Sequence, residues 1–436
     1  MKRFCRYLMV SSCVVYVVVT LIAVYKLYCV VGDKESDGIS QLHYPGMNTH
    51  ISKTEYLKIS LNSETTDKRS NVEIWGKAAI AKYLWHHILD GKVENGEGGL
   101  VETGFKILHG INFTYRYGPG VIQTTVPSDV EKLVLVLNGR SEEKINVAKQ
   151  WLDYVPLYKK LTHIAVVLLG DEGCSNDWLL PYMKSRGGRI DVAFLVYDSP
   201  LIDNVQFYQW PLGVAVTTRN QHLLAFLFTQ YSFVHNEWAS FHCADHVCCY
   251  RGFPDVKPKD LDLKSSRSLT CNFLGTIYEN SSRQLLTDVI KKSGLQDSCY
   301  IKGRKKWQPN ETPETLKIYM SALLKSDLTL SPVGKNTECY RIYEAMSLGS
   351  VPVVEDVVTP GNCDTSADSP LRLLKQYGAP IIYVKSWHQL HIVLHQESQL
   401  TVEEKAARRI QVTEWYKNFK THMSASFVQL IEKKFL

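Results

Sequence analysis

The chain has 436 residues, of which 22% are charged and 45% hydrophobic, and its formal net charge is +6. These values exclude a disordered or fibrous chain and leave room for two domains with substantial cores. The charge suits an anionic substrate or surface, but it is too mild for a nucleic-acid partner, and no Lys/Arg stripe interleaved with aromatics stands out.

Residues 7–25, YLMVSSCVVYVVVTLIAVY, carry no charge, and the apolar character resumes after Lys26 as far as residue 31. A helix that crosses a bilayer needs about 20 such residues. Lys2, Arg3 and Arg6 precede the span, and Asp33, Glu35 and Asp37 outnumber Lys34 after it. The positive-inside rule therefore orients residues 1–6 toward the cytosol. A cleaved signal peptide would have a shorter apolar core and a small-residue cleavage site, and neither is present. The expectation is an uncleaved signal anchor, short enough to suit an early secretory membrane, with everything after Gly32 lumenal. Sequons at Asn112, Asn280 and Asn310 fit that side. An oxidising lumen permits disulfides among Cys174, Cys271, Cys299, Cys339 and Cys363, whose connectivity the spacing does not determine.

Residues 32–70 are polar and without periodicity, and read as a stem. Ile74, Ala78, Ala81, Leu84, Trp85 and Ile88 recur at helical spacing and predict a helix over 74–90. Short apolar runs at 133–137, 164–169, 190–196, 269–274, 328–330, 351–354 and 381–384 predict strands. Helical stretches at 142–152 and 282–292 alternate with them, as parallel sheets covered on both faces require. Strand ends in such folds host ligands. Here they carry Asn138-Gly139-Arg140, Gly170-Asp171-Glu172, Tyr197-Asp198-Ser199-Pro200 and Glu355-Asp356.

A charged, Pro-bearing stretch at 255–268 reads as a linker between a domain at 71–265 and a second at 266–436. The last 35 residues read as helix. The predicted architecture is α/β, two Rossmann-like domains facing a cleft. Residues 216–249 break the pattern. His242, Cys243, His246, Cys248 and Cys249 are zinc-ligand types, but adjacent cysteines chelate one ion poorly, and no metal is assigned to them.

Residues 326–356 read SDLTLSPVGKNTECYRIYEAMSLGSVPVVED: a strand, a Gly-containing loop, a short helix and a second strand ending in two acids. At about 100° per residue, Cys339, Ile342, Met346 and Gly349 form a stripe that would pack on a sheet, while Arg341 and Glu344 project to the other side. An exposed pair with Arg before Glu is worth only a few tenths of a kcal/mol, and its neighbours here are poor solvators. The other reading is anion binding. The loop Pro332-Val333-Gly334-Lys335-Asn336-Thr337 leads into a helix N-terminus, whose free N–H groups favour phosphate. Gly334, Asn336 and Thr337 are its candidate contacts. Arg341 offers a planar fork to a diphosphate, Glu344 can accept from ribose hydroxyls, and Glu355 and Asp356 return to the same edge.

Arg341, Glu344 and Ala345 followed by Val351-Pro352-Val353-Val354 resemble the donor-binding half of exostosin-type glycosyltransferases. More extensively, IWGKAAI at 74–80, YLW at 83–85, LNGR at 137–140, AVVLLG at 165–170 and YDSP at 197–200 are similar to the ribitol-5-phosphate xylosyltransferase family. So are QWPLGVA at 209–215, CNFLGTIYENSSRQ at 271–284 and NTECYRIYEA at 336–345. The resemblance implies a type II Golgi membrane protein of GT-B fold, with its catalytic part lumenal. It implies inverting transfer of xylose from UDP-xylose to ribitol-5-phosphate on the O-mannosyl glycan of α-dystroglycan, with no metal or other cofactor required. The Golgi membrane and other transferases of the same pathway are the further partners it implies. QWPLGVA and YRGFPDV stand as though they should be nearly adjacent, so residues 216–249 read as a retained intron or a mis-assigned exon.

An inverting transferase needs a base for the acceptor hydroxyl and a device that stabilises the departing UDP. Asp198 is the first candidate base, then Asp171 and Glu172; capping of the turn before Ser199-Pro200 is the other role open to Asp198. Lys302, Arg304 and Lys305, followed by Lys306, could attract the acceptor phosphate or form a solvated basic face. Arg283, at a predicted helix start, could reach the donor phosphates. Asp260-Leu261-Asp262 has the letters of a metal-dependent donor motif but lies among lysines in the linker. Two rivals remain: a transferase of this fold with another donor or acceptor, and a non-catalytic lumenal scaffold.

Overall fold

The computed structural model describes residues 70–95, 100–216, 253–306 and 312–436. In the first half the strands are β1 (Asn71–Gly76), β2 (Glu94–Asn95), β3 (Glu102–Leu108), β4 (Ile111–Tyr117), β5 (Lys132–Asn138), β6 (His163–Leu169), β7 (Val192–Val196) and β8 (Phe207–Trp210). They form one sheet in the order β2-β3-β4-β1-β5-β6-β7-β8. From β4 to β8 the neighbours are parallel, and β2 and β3 add an antiparallel edge. The apolar runs in β5, β6 and β7 are buried along nearly their whole length, as strands covered on both faces must be.

Two features depart from the expectation. The predicted helix over 74–90 begins late: residues 71–76 are the central strand β1, and the helix starts as α1 (Ile80–Lys82) and continues as a π-helix over Tyr83–Ile88. Ile74 and Trp75 are both fully buried because β1 has β4 and β5 on its two sides, so its apolar run mimics a helical stripe. The β3–β4 hairpin was not read at all. Its two-residue turn is His109-Gly110, both at positive φ as a type I′ turn demands, and a histidine there carries no turn signal.

One face of the first sheet packs on α2 (Glu142–Tyr154), where Trp75, Leu133, Leu135, Trp151 and Tyr158 share one apolar cluster. The other face is covered from the far end of the chain. The 34-residue helix α8 (Val402–Phe435) places Phe427 at 5.2 Å from Phe194, 5.6 Å from Trp210 and 6.4 Å from Phe113, between ring centroids.

In the second half, β9 (Leu269–Thr276), β10 (Cys299–Arg304), β11 (Ser326–Ser331), β12 (Val351–Glu355) and β13 (Ile382–Val384) form an all-parallel sheet. Its order is β10-β9-β11-β12-β13. The chain reverses its direction of winding between β9 and β11, and in open α/β sheets ligands bind at that switch point, beyond the carboxyl ends of the strands. The helices are α3 (Ser282–Lys292), α4 (Pro313–Lys325), α5 (Tyr340–Ser347), α6 (Arg372–Gln376) and α7 (Leu390–Gln399). Those that follow β9 and β11, α3 and α5, begin at the switch point.

Two disulfides form. Cys271–Cys299 joins opposed positions of β9 and β10. Cys174–Cys363, separated by 189 residues, ties the loop after β6 to the loop after β12. Cys339 is free. The expected anchor and stem, the His/Cys cluster at 242–249 and Asn310 lie outside the described residues. Among the described residues no helix is long and apolar enough to cross a membrane.

The two ends that flank residues 217–252 meet: the Phe253 N–H donates to the Ala215 carbonyl at 2.5 Å. Removing 216–249 would make Phe253 the fourth residue after Ala215, the separation that an α-turn closes. Each halving of a connection also lowers its closure cost by about 0.6 kcal/mol. The full chain lacking 216–249 is therefore expected to melt cooperatively at the same temperature as the parent or a few degrees higher, as read by thermal denaturation. A broad or much lower transition would mean that the fold needs the segment.

Candidate functional site

The carboxyl end of β9 carries a pair of cations. Arg341, in the first turn of α5, donates through Nη2 to the Leu274 carbonyl at 2.9 Å and lies 4.9 Å from the centroid of the Phe273 ring. Arg283, in the first turn of α3, donates through Nη1 to the Thr276 carbonyl at 2.9 Å. Both guanidinium groups leave Nε buried without a hydrogen-bond partner, and among the described residues neither forms an ion pair. Burial lowers the Arg283 pKa, and the charge of Arg341 beside it lowers it further. Two glycines make room: a Cβ on Gly275 would sit 2.9 Å from Arg341 Nη2, and one on Gly334 would sit 2.9 Å from Arg283 Nη2. The Cys339 thiol lies 3.9 Å from Arg341 Nη1. The helix that starts here has no side-chain cap, although the Ile342 N–H donates to the Cys339 carbonyl at 3.2 Å.

The first sheet contributes a third guanidinium. Arg140, just past β5, hydrogen-bonds through Nη2 to the Tyr197 hydroxyl and lies 5.7 Å from the ring centroid of Tyr340. Its Nη2 is 3.5 Å from Glu172 Oε1, with about 30% of each side chain exposed. Tyr340 immediately precedes Arg341, so the two clusters approach across the start of α5.

The remaining predicted residues hold this junction together. Asn336 donates to the Glu172 carbonyl at 2.9 Å and accepts from the Glu338 N–H. Thr337 bonds the Val357 carbonyl at 2.6 Å. Glu344 is buried, and its carboxylate accepts from the Ala215 N–H at 3.1 Å and the Tyr319 hydroxyl at 2.7 Å. Glu355 accepts from Ser282, from the Val333 N–H at 3.3 Å and from Trp387 Nε1 at 3.1 Å. Asp356 is paired with Lys375 at 2.9 Å and Lys385 at 2.8 Å.

The three candidate bases differ. Asp198 is buried, ion-paired with Arg372 at 3.2 Å, and accepts the Arg372 N–H; burial pushes its carboxyl up. Asp171 caps its own turn, accepting from the Gly173 N–H at 2.9 Å and the Ser175 N–H at 3.4 Å. Glu172 alone of the three presents a half-open carboxylate beside a guanidinium.

Lys302 and Lys305 are exposed at and just beyond the end of edge strand β10, and Arg304 donates to Thr276 Oγ1 at 3.1 Å, next to the Arg283 site. Asn280 is exposed, whereas Asn112 is half-buried in β4 and bonded to Asn71. A cavity of about 380 Å³ lies elsewhere, between β8, α6 and α8, with Phe194, Tyr208, Trp210 and Phe427 in its wall.

Sequence reasoning missed Glu338. It is buried, and one of its oxygens accepts both the Leu212 N–H at 2.9 Å and the Tyr343 hydroxyl at 2.5 Å. The only signal was an acid next to Asn336 and Thr337 in the motif, and nothing marked its partner.

These features define an α/β protein of two parallel-cored sheets, with cations gathered where the strand ends meet. The RXYLT1 N-terminal domain family matches residues 72–211, and the RXYLT1 C-terminal domain family matches residues 250–436. "Ribitol-5-phosphate xylosyltransferase 1" of Homo sapiens is 44% identical over 373 residues, covering 84% of this chain and 77% of the relative. Its Danio rerio counterpart is 43% identical over 372 residues, covering 84% of this chain and 78% of that one. The chain belongs to the ribitol-5-phosphate xylosyltransferase family. Among solved structures, a starch synthase IV catalytic domain from Arabidopsis thaliana and an α1,3-fucosyltransferase each align at 10% identity and a TM-score of 0.33, covering 82% and 84% of this chain and 100% and 84% of theirs; that likeness decides nothing.

Glu338 makes the junction pH-dependent. Burial, opposed by its hydrogen bonds, pushes its carboxyl from 4.5 up to about 7. A carboxyl raised in the folded state adds stability that is complete below the unfolded value and lost as pH rises through the folded one. Between about pH 4.5 and pH 7.5 the protein should lose on the order of 3 kcal/mol through this group. Glu338→Gln keeps an oxygen for both donors and should lose that much less over the same range in denaturant titrations. Parallel pH profiles for parent and variant would show that Glu338 does not titrate there.

Proposed function

We propose that this chain is an inverting glycosyltransferase that moves xylose from UDP-xylose to ribitol-5-phosphate, with the diphosphate held at the switch point of the second sheet. The observation that carries the proposal is the pair Arg283 and Arg341, unpaired with any acid among the described residues and seated at the end of β9 beside an uncapped helix start. A helix N-terminus and forked guanidinium groups together favour a diphosphate. Family membership supports the sugar and the acceptor, because the relatives are named for xylosyl transfer to ribitol-5-phosphate. The two sheets, whose strand-end loops meet through the Asn336–Glu172 bond and the Cys174–Cys363 disulfide, suit a GT-B arrangement.

In this reaction Glu172 takes the proton from the acceptor hydroxyl as that oxygen attacks the anomeric carbon. The bond from that carbon to the UDP oxygen breaks with its electron pair, and Arg283 and Arg341 receive the diphosphate charge. The guanidinium groups and the helix start take the leaving charge without a metal ion in the scheme. The apolar span at 7–25 supports a single-pass membrane location with this site in the lumen, and the family resemblance implies the Golgi membrane and a glycan of α-dystroglycan as the natural acceptor.

UDP titrated calorimetrically into the full-length protein should bind about 10- to 100-fold more weakly in Arg283→Ala and in Arg341→Ala, the loss of a charge-assisted contact of roughly 1.5–3 kcal/mol. Melting temperatures should stay within a few degrees of the parent. Undiminished UDP binding in both variants would remove the diphosphate from this strand end. No UDP released from UDP-xylose in the presence of ribitol-5-phosphate would favour the scaffold reading.

A further inference from the structure

We propose that Arg140, with Tyr197 and Tyr340, binds the phosphate of the acceptor, and that this phosphate displaces Glu172 from Arg140 and so frees the base. The inference rests on the transfer reaction proposed above and adds the acceptor subsite to it.

Arg140 is placed as an anion receptor rather than as a structural tie. Its backbone is fixed by the Arg140 N–H bond to Asn138 Oδ1 at 3.0 Å. Its guanidinium is set between two rings, 5.9 Å from the centroid of Tyr197 and 5.7 Å from that of Tyr340. Tyr197 holds its place at a φ of 70°, a left-handed conformation that costs a residue with a side chain. The side chain is 29% exposed, Nη2 bonds the Tyr197 hydroxyl, and the buried Nε has no hydrogen-bond partner among the described residues. Among the described residues its one acidic ion-pair partner is Glu172, at 3.5 Å and with both side chains about 30% exposed, a loose pair that a stronger anion can replace. A phosphate accepts two parallel N–H bonds from such a fork, and the tyrosine hydroxyls can donate to its other oxygens.

The placement also separates the two phosphate sites. Arg283 and Arg341 belong to the second sheet, at the end of β9, and Arg140 belongs to the first, at the end of β5. Lys302 and Lys305, which the sequence suggested for the acceptor phosphate, are exposed. When phosphate takes the fork, Glu172 swings from the cation and can accept the proton of the attacking hydroxyl. An acceptor without phosphate leaves the base tied to Arg140, so anion binding and base release are one event.

The test uses the full-length protein with UDP-xylose as donor and, in parallel, ribitol-5-phosphate and ribitol as acceptors. Arg140→Gln should raise KM for ribitol-5-phosphate by 10- to 100-fold, with little change in KM for ribitol or in UDP affinity. Arg140→Lys should recover part of the loss. Glu172→Gln, its kcat reduced, should bind ribitol-5-phosphate several-fold more tightly in the presence of UDP, because the competitor for Arg140 has lost its charge. Equal losses for both acceptors, weakened UDP binding in Arg140→Gln, or unchanged phosphate affinity in Glu172→Gln would overturn the inference. A selective loss in Lys302→Ala or Lys305→Ala, with none in Arg140→Gln, would move the phosphate to β10 and overturn it too. If the parent transfers to ribitol-5-phosphate and Arg140→Gln is unaffected, only this inference falls. If the parent transfers to neither acceptor, the transfer reaction itself falls.

Discussion

The structure depends on two buried carboxylates that accept backbone N–H groups from the opposite half of the chain. Glu338 takes the N–H of Leu212 and Glu344 that of Ala215, and Asn336 reaches back to the Glu172 carbonyl. All three belong to the short stretch that also carries Tyr340 and Arg341. A buried N–H without an acceptor costs roughly 1–3 kcal/mol and a buried carboxylate without donors far more, so the three bonds are formed together or lost together. One helix start thereby determines how the ends of the first sheet face the ends of the second. The Cys174–Cys363 bond and the return of α8 to the first sheet repeat the tie at two other places.

Acidic residues at strand ends are usually read as ligands, and most of those here have other work. Asp198 is ion-paired with Arg372 and Asp356 with two lysines, while Glu355 is held by a tryptophan, a serine and a backbone N–H, and Asp171 caps its own turn. With those acids engaged, the strand ends present Arg140, Arg283 and Arg341, with Glu172 beside Arg140.

Much of the parallel architecture was legible because its signal is local. Runs such as those of β5, β6 and β7 are apolar throughout, as doubly covered strands must be, and the Ser-capped α2 and α3 announce their own starts. The first strand was misread because Ile74, Ala78 and Ala81 fall at helical spacing while Ile74 and Trp75 belong to a central strand, and β-periodicity does not show when both faces are covered. In the site, Arg341 was legible as an arginine whose surroundings offered it no solvent. Glu344 looked like a ligand for the same reason. Its real neighbour is the N–H of Ala215, 129 positions away, and no spacing within the motif can reveal a partner at that distance. Arg140 stood in plain view at a strand end, yet its role depends on Tyr197 and Tyr340, brought to it by β7 and by the second half of the chain.

The distribution of charge between the halves bears on the stereochemistry of the proposed reaction. Inversion at the anomeric carbon needs the base and the leaving group on opposite sides of the sugar. Glu172 hangs from the first sheet, and the cations that would take the leaving diphosphate hang from the second. The Asn336–Glu172 bond joins the loop before α5 to the residue that carries the base. The residue that would deprotonate the attacking hydroxyl is thus joined, through its own backbone, to the loop that leads into the elements that would hold the leaving group.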